Sequence, residues 1–198
     1  IARELRNELK LKGAYFCTPA ESDRLAKVIF LGKQRMNPDR VGQSPDVLAG
    51  LAQFSIPPKT RILISEEAEI GWHRPLSAEK LNPVLAFYVA NDENHALELA
   101  NNIAKFEGWG HSSVVHSDDP KIVAKFASIP TGRVLVNTPA ILGGMGYSTD
   151  LEPSFMLGTG TWSGSITSDN VTALHLINIK RVAYESRPWR DIYEQYGE

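Results

Sequence analysis

The chain has 198 residues, 42% of them hydrophobic, and a formal net charge of -2, which suits one sizeable core and gives no reason to expect two. Lys and Arg (21) do not outnumber Asp and Glu (23), which excludes the basic surface that nucleic acid binding requires. Cys17 has no second cysteine to pair with, which excludes an intrachain disulfide and fits a reducing cytoplasm; no apolar run approaches the roughly 20 residues that span a bilayer.

Ile1, Leu5 and Leu9 at four-residue spacing predict an opening helix that Gly13 ends. The helical pattern is present from the first residue, without an initiator Met or a signal-peptide pattern, so the chain is expected to be a piece that begins inside a helix. A short strand is expected over 14–17. Thr18-Pro19-Ala20-Glu21 is a capping box with proline in the first turn and opens a helix expected to run to about residue 31. Asn37-Pro38 ends the segment that follows. Ser44-Pro45-Asp46 starts a short helix carrying Val47, Leu48 and Leu51 on one side, and Ile56-Pro57-Pro58 stops it before a strand over 61–65. Strands over 84–89, 113–116 and 133–137, separated by helices over about 93–106 and 120–127, give the alternation of a parallel sheet. After Asn137 two glycine clusters follow, Gly143-Gly144-Met145-Gly146 and Gly158-Thr159-Gly160-Thr161-Trp162-Ser163-Gly164. The last apolar segment covers 170–184. The expected class is α/β, a mainly parallel sheet flanked by helices.

Few residues in this pattern offer chemistry. Cys17 lies in a predicted strand beside Tyr15 and Phe16, where a cysteine packs as a small hydrophobe, so it is not read as a nucleophile. Glu79 stands just before a strand that reads as buried, where a carboxylate can accept hydrogen bonds from two vicinal ribose hydroxyls; a solvated loop glutamate has the same local pattern. His111 follows Gly108-Trp109-Gly110 at the entry to a strand and can move protons near neutral pH, or simply make a local hydrogen bond. His73, His95, His116 and His175 lack metal-ligand spacing, so no metal is expected. The glycine clusters permit close backbone approach to a ligand, but neither is a Walker loop or a dinucleotide fingerprint.

Several ordered blocks resemble the CoA-acylating branch of the aldehyde dehydrogenase superfamily. They are Glu79-Lys80-Leu81-Asn82-Pro83-Val84-Leu85, Gly110-His111-Ser112-Ser113-Val114, Arg133-Val134-Leu135-Val136-Asn137-Thr138-Pro139 followed by Gly143-Gly144-Met145-Gly146, and the second glycine cluster with Ser168-Asp169-Asn170-Val171 and His175-Leu176-Ile177-Asn178. Val41-Gly42-Gln43-Ser44 and the stretch 58–64 extend the resemblance over nearly the whole chain. Leu81, Asn82 and Ile141-Leu142 depart from the hydrolytic branch, which carries Glu-x-Phe-Gly-Pro and Pro-Phe-Gly-Gly blocks there.

The resemblance implies that residues 1–198 are the catalytic-domain portion of an enzyme that uses NAD and coenzyme A to interconvert a short aldehyde and its acyl-CoA. It implies that Glu79 binds the nicotinamide ribose, with Leu81 and Pro83 completing the cofactor contact, and that His111 is an acid-base residue. The nucleophilic cysteine and the NAD-binding domain would precede Ile1, and Cys17 does not take the nucleophile's place. The partners implied are the aldehyde and CoA, with no nucleic acid and no membrane, in a homo-oligomer of the full-length enzyme in the cytoplasm or a bacterial microcompartment. A hydrolytic aldehyde dehydrogenase, an acyl-phosphate reductase of the same fold and a noncatalytic assembly module are the alternatives. Glu79 and His111 each stand before a predicted strand, so both are expected at the amino edge of the sheet, with Asn137 at the opposite edge.

Overall fold

A computed structural model describes residues 1–32 and 34–197. Helix α1 (Ala2–Leu11) ends where Gly13 adopts a φ of 95°, and strand β1 (Ala14–Phe16) follows at once. Helix α2 (Pro19–Ile29) opens on the capping box read from the sequence: the Thr18 hydroxyl accepts the Glu21 N–H at 3.3 Å and the Glu21 carboxylate accepts the Thr18 N–H at 2.7 Å. It ends before residue 31 because Phe30 turns into an extended conformation, where its ring meets Trp72 edge-on at 6.1 Å. Strand β2 (Phe30–Leu31) then pairs antiparallel with β3 (Arg35–Met36). Helix α3 (Pro45–Leu51) leads to β4 (Ile62–Glu66), and a long loop leads to β5 (Val84–Phe87).

Asp92 caps helix α4 (Glu93–Glu107) by accepting the His95 N–H at 2.8 Å, and Asp119 caps α5 (Pro120–Phe126) by accepting the Lys121 N–H at 2.8 Å. Between and after them run β6 (Gly110–Val115) and β7 (Thr131–Val136). Among the described residues beyond Asn137 the regular structure is α6 (Ala140–Gly144), short single turns and α7 (Trp189–Tyr196).

The α/β class with parallel strands flanked by helices is as the sequence predicts, but the parallel strands fall into two groups, apart from the antiparallel pair β2 and β3. β1, β4 and β5 form one, with Tyr15 beside Leu63 and Leu63 beside Val84; β6 and β7 form the other, with Ser112 beside Arg133. Among the described residues no ladder joins β5 to β6. Alternation of strands and helices dictates parallel direction but carries no information about which edges pair.

The core lies between α2, α3 and the first sheet. Leu25, Ile29, Leu48, Leu63, Leu76 and Val84 are each at most 2% exposed. Burial of each such side chain contributes about 1.5–3 kcal/mol. The apolar segment over 170–184 does not join it. Every residue from 173 to 197 is exposed, and only a single 3-10 turn (Ala173–Leu176) and α7 give that stretch regular structure. Among the described residues no helix is long and apolar enough to cross a membrane.

Candidate functional site

The loop between β4 and β5 is built from the core outward. Glu67, 5% exposed, accepts a 2.6 Å hydrogen bond from the Ser65 hydroxyl and another of 2.6 Å from Arg74 Nε. A carboxylate can only accept, so the Ser65 oxygen is left to accept from Ser22, 2.8 Å away. This arrangement fixes the start of the loop to α2. Further on, the Gly71 N–H donates to the Ser77 hydroxyl at 3.0 Å, and a 3-10 turn (Pro75–Ser77) brings Leu76, Ser77 and Ala78 into the interior. Glu79 follows, with its side chain exposed and its N–H donating to the Glu107 carboxylate at 3.1 Å.

His111 is the second residue of β6 and is also exposed. Its Nδ1 accepts the Ser112 N–H at 2.9 Å, so the neutral ring carries its proton on Nε2 and presents a donor. Gly110 before it has a φ of 78°, and a Cβ there would stand 2.3 Å from the Thr159 carbonyl oxygen. Only glycine lets the second glycine cluster approach β6 so closely. Trp109 and Trp162 stack across the same junction with ring centroids 5.8 Å apart. Arg133, 8% exposed, completes it, donating to the Ser112 hydroxyl at 3.2 Å and to the carbonyls of Gly158 and Ser168 at 2.8 and 2.9 Å.

Glu79 and His111, separated in sequence by β5 and α4, line one cavity of about 470 Å³ between the two sheets. Val84, Ile103, Ala104 and Ile129 supply apolar wall, and Lys80, Tyr88 and Glu107 supply the remaining ionisable groups. The amino-edge expectation therefore brings these two residues together, although His111 lies inside β6 rather than before it. Asn137 is at the other end of its strand, with a φ of 52° and its side-chain amide bonded to Ser117.

Leu81 and Pro83 are outside the cavity lining. The Leu81 carbonyl accepts the Gly42 N–H at 2.8 Å, tying residues 41–44 to this loop, and the Pro83 carbonyl accepts the Leu63 N–H at 2.9 Å. The Leu81 N–H also donates to the Met36 sulfur at 3.4 Å.

Lys80, Tyr88 and Glu107 were not legible as site residues. The Lys80 ammonium donates to the carbonyls of Leu76 and Ala78, the latter at 2.8 Å. Burial pulls its pKa down to about 8 against the opposing pull of Glu67 and Glu107. Burial likewise pushes the Tyr88 hydroxyl up to about 12. A lysine four positions before an apolar strand was the available signal for Lys80; nothing marked Glu107 at the far end of α4. Cys17 packs against the core, and burial, aided by Glu21, pushes its thiol up to about 12, which disfavours the thiolate a nucleophile needs.

No protein-family model matches the chain. The aldehyde-alcohol dehydrogenase of Clostridium acetobutylicum is 39% identical over 189 residues, which are 92% of this chain and 22% of that protein. An acetylating aldehyde dehydrogenase from Geobacillus thermoglucosidasius, solved as a crystal structure, superimposes with a TM-score of 0.88 at 39% identity, covering 93% of this chain and 41% of that one. The crystal structure of a probable aldehyde dehydrogenase from Listeria monocytogenes EGD-e gives a TM-score of 0.89 at 41% identity, covering 96% and 42%. The chain thus spans about a fifth of the curated relative and about two-fifths of the solved ones.

Proposed function

We propose, for a chain similar to an aldehyde-alcohol dehydrogenase along 92% of its length and to an acetylating aldehyde dehydrogenase along 93%, that it is the catalytic-domain portion of an enzyme interconverting an aldehyde plus CoA and the acyl-CoA. The observation that carries this reading is the convergence of Glu79 and His111 on one cavity. On this reading the nucleophilic cysteine and the nucleotide-binding domain are supplied by residues other than these, Cys17 being packed against the core with its thiol pushed up by burial.

The residues present fit the ribose end of a nicotinamide nucleotide. NAD, when bound, supplies the hydride acceptor. Glu79 offers two exposed carboxylate oxygens, the right number to accept from two vicinal hydroxyls. His111 offers Nε2 as the donor toward a developing oxyanion, because its Nδ1 is committed to the Ser112 N–H. Service as a base through Nε2 would require the ring to lose that bond and change tautomer.

The reaction consumes aldehyde, CoA and oxidised nicotinamide and yields acyl-CoA, reduced nicotinamide and a proton, with the acyl group carried on a cysteine thioester between the two halves. The test is NADH formation from a short aldehyde by the full-length protein, with and without CoA. CoA-dependent NADH and an acyl-CoA product support the assignment. Free acid formed irrespective of CoA moves it to the hydrolytic branch, phosphate dependence moves it to acyl-phosphate reduction, and no turnover with any acceptor leaves an assembly module.

A further inference from the structure

We propose that Lys80 and Glu107 are positioning residues that clamp the Ala78–Glu79 peptide from both ends and thereby aim the Glu79 carboxylate into the cavity. The proposal rests on the reading of Glu79 given above. The geometry is simple. Lys80 Nζ donates to the Ala78 carbonyl at 2.8 Å, and Glu107 accepts the Glu79 N–H at 3.1 Å. That oxygen and that N–H belong to one planar peptide unit, so two charged side chains hold opposite edges of the same plane.

A peptide plane held at both edges cannot rotate without breaking a charge-assisted hydrogen bond, and its rotation is what would change the φ of Glu79 and the direction of its side chain. Ala78 is only 2% exposed, so the plane is also anchored to the core on its amino side. A second bond from Lys80 to the Leu76 carbonyl extends the clamp to the 3-10 turn before it. Glu79 is exposed while Lys80 is half-buried, its ammonium bonded to the carbonyls of Leu76 and Ala78.

Placing an ammonium there is costly, because it is drawn out of water and, among the described residues, forms no ion pair. A lysine on this loop could have stayed in solvent, as most do. The groups facing it are Glu67 from the end of β4, Glu107 from α4, Tyr88 after β5 and His111 from β6. With its pKa pulled down to about 8, the ammonium loses its charge within the range where the enzyme can be assayed. The neutral amine makes weaker bonds to the two carbonyls, so the clamp loosens above that pH.

The experiment uses the full-length enzyme and its Lys80→Met, Lys80→Arg, Glu107→Ala, Glu79→Gln and Glu79→Gln/Lys80→Met variants, with KM for NAD, KM for aldehyde and kcat measured from pH 6.5 to about 9. Lys80→Met and Glu107→Ala are each expected to raise KM for NAD roughly tenfold, the scale of one lost hydrogen bond, with KM for aldehyde nearly unchanged. Lys80→Arg should recover part of the loss, and the double variant should be no worse than Glu79→Gln. In the parent enzyme KM for NAD should climb as pH passes about 8, and in Lys80→Met it should not. If Glu79→Gln raises KM for NAD while Lys80→Met and Glu107→Ala do not, the clamp is overturned and the Glu79 reading stands. If Glu79→Gln leaves KM for NAD unchanged, the Glu79 reading falls and the clamp falls with it. A uniform drop in kcat with no selective effect on NAD, or failure of Lys80→Met to fold together with a silent Glu107→Ala, overturns it as merely structural.

Discussion

Residues 1–136 and residues 173–197 both carry apolar side chains, yet only the first stretch buries a core. Leu25, Leu48 and Leu63 are fully buried, whereas Leu176, Ile179 and Val182 are 85, 52 and 75% exposed. In the first region two helices and a parallel sheet supply faces that meet; over 173–197 one turn and one short helix stand without a second layer. Apolar pattern is therefore necessary for a core but not sufficient, since a face stabilises only when another covers it.

The comparison can be broken most forcefully by truncation. Leu63→Ala should lower the unfolding free energy by about 2–5 kcal/mol, measured by urea denaturation, whereas Ile179→Ala should change it by less than about 0.5 kcal/mol. Equal losses would mean that the final segment is packed in solution. Arg133→Met tests the joint between the second sheet and residues 158–168, because it leaves the carbonyls of Gly158 and Ser168 without their donor. A loss of about 1–3 kcal/mol is expected, with faster proteolysis within residues 158–168.

Lys80 gives a smaller effect whose sign can be worked out. Its folded pKa is lowered, so between about 8 and the ordinary lysine value of about 10.4 the unfolded chain binds more protons than the folded one. Stability should rise with pH through that window and the rise should be absent in Lys80→Met; the pH dependence of the melting temperature of both proteins decides it. Cys17 gives the smallest effect. With its thiol near 12 it should react with a thiol reagent at pH 8 far more slowly than an unhindered cysteine, and become reactive on unfolding.

Local elements were well marked in the sequence where side chains act on their own backbone. The Thr18 box, the Pro19 and Pro45 starts and the Gly13 stop are interactions within a few residues, and all are found in place. The end of α2 was misjudged because Phe30 leaves the helix for Trp72, a residue 42 positions away by the difference of the two numbers. The split of the sheet was not legible for the same reason, as edge pairing depends on distant segments. Glu79 and His111 could be placed at strand entries and so expected near each other, but their lining partners Tyr88 and Glu107 reach the cavity only through tertiary packing. Leu81 and Pro83, implied by resemblance, make backbone bonds to Gly42 and Leu63 instead of lining the cavity.

The most direct test of the account is the affinity of the full-length enzyme for its nicotinamide cofactor with Glu79 changed to Gln. The account predicts a KM for NAD raised by about tenfold or more, with KM for CoA nearly unchanged, because one of the two oxygens that accept the ribose hydroxyls is replaced by an amide that donates. An unchanged KM for NAD would contradict it and return Glu79 to the status of a solvated loop carboxylate.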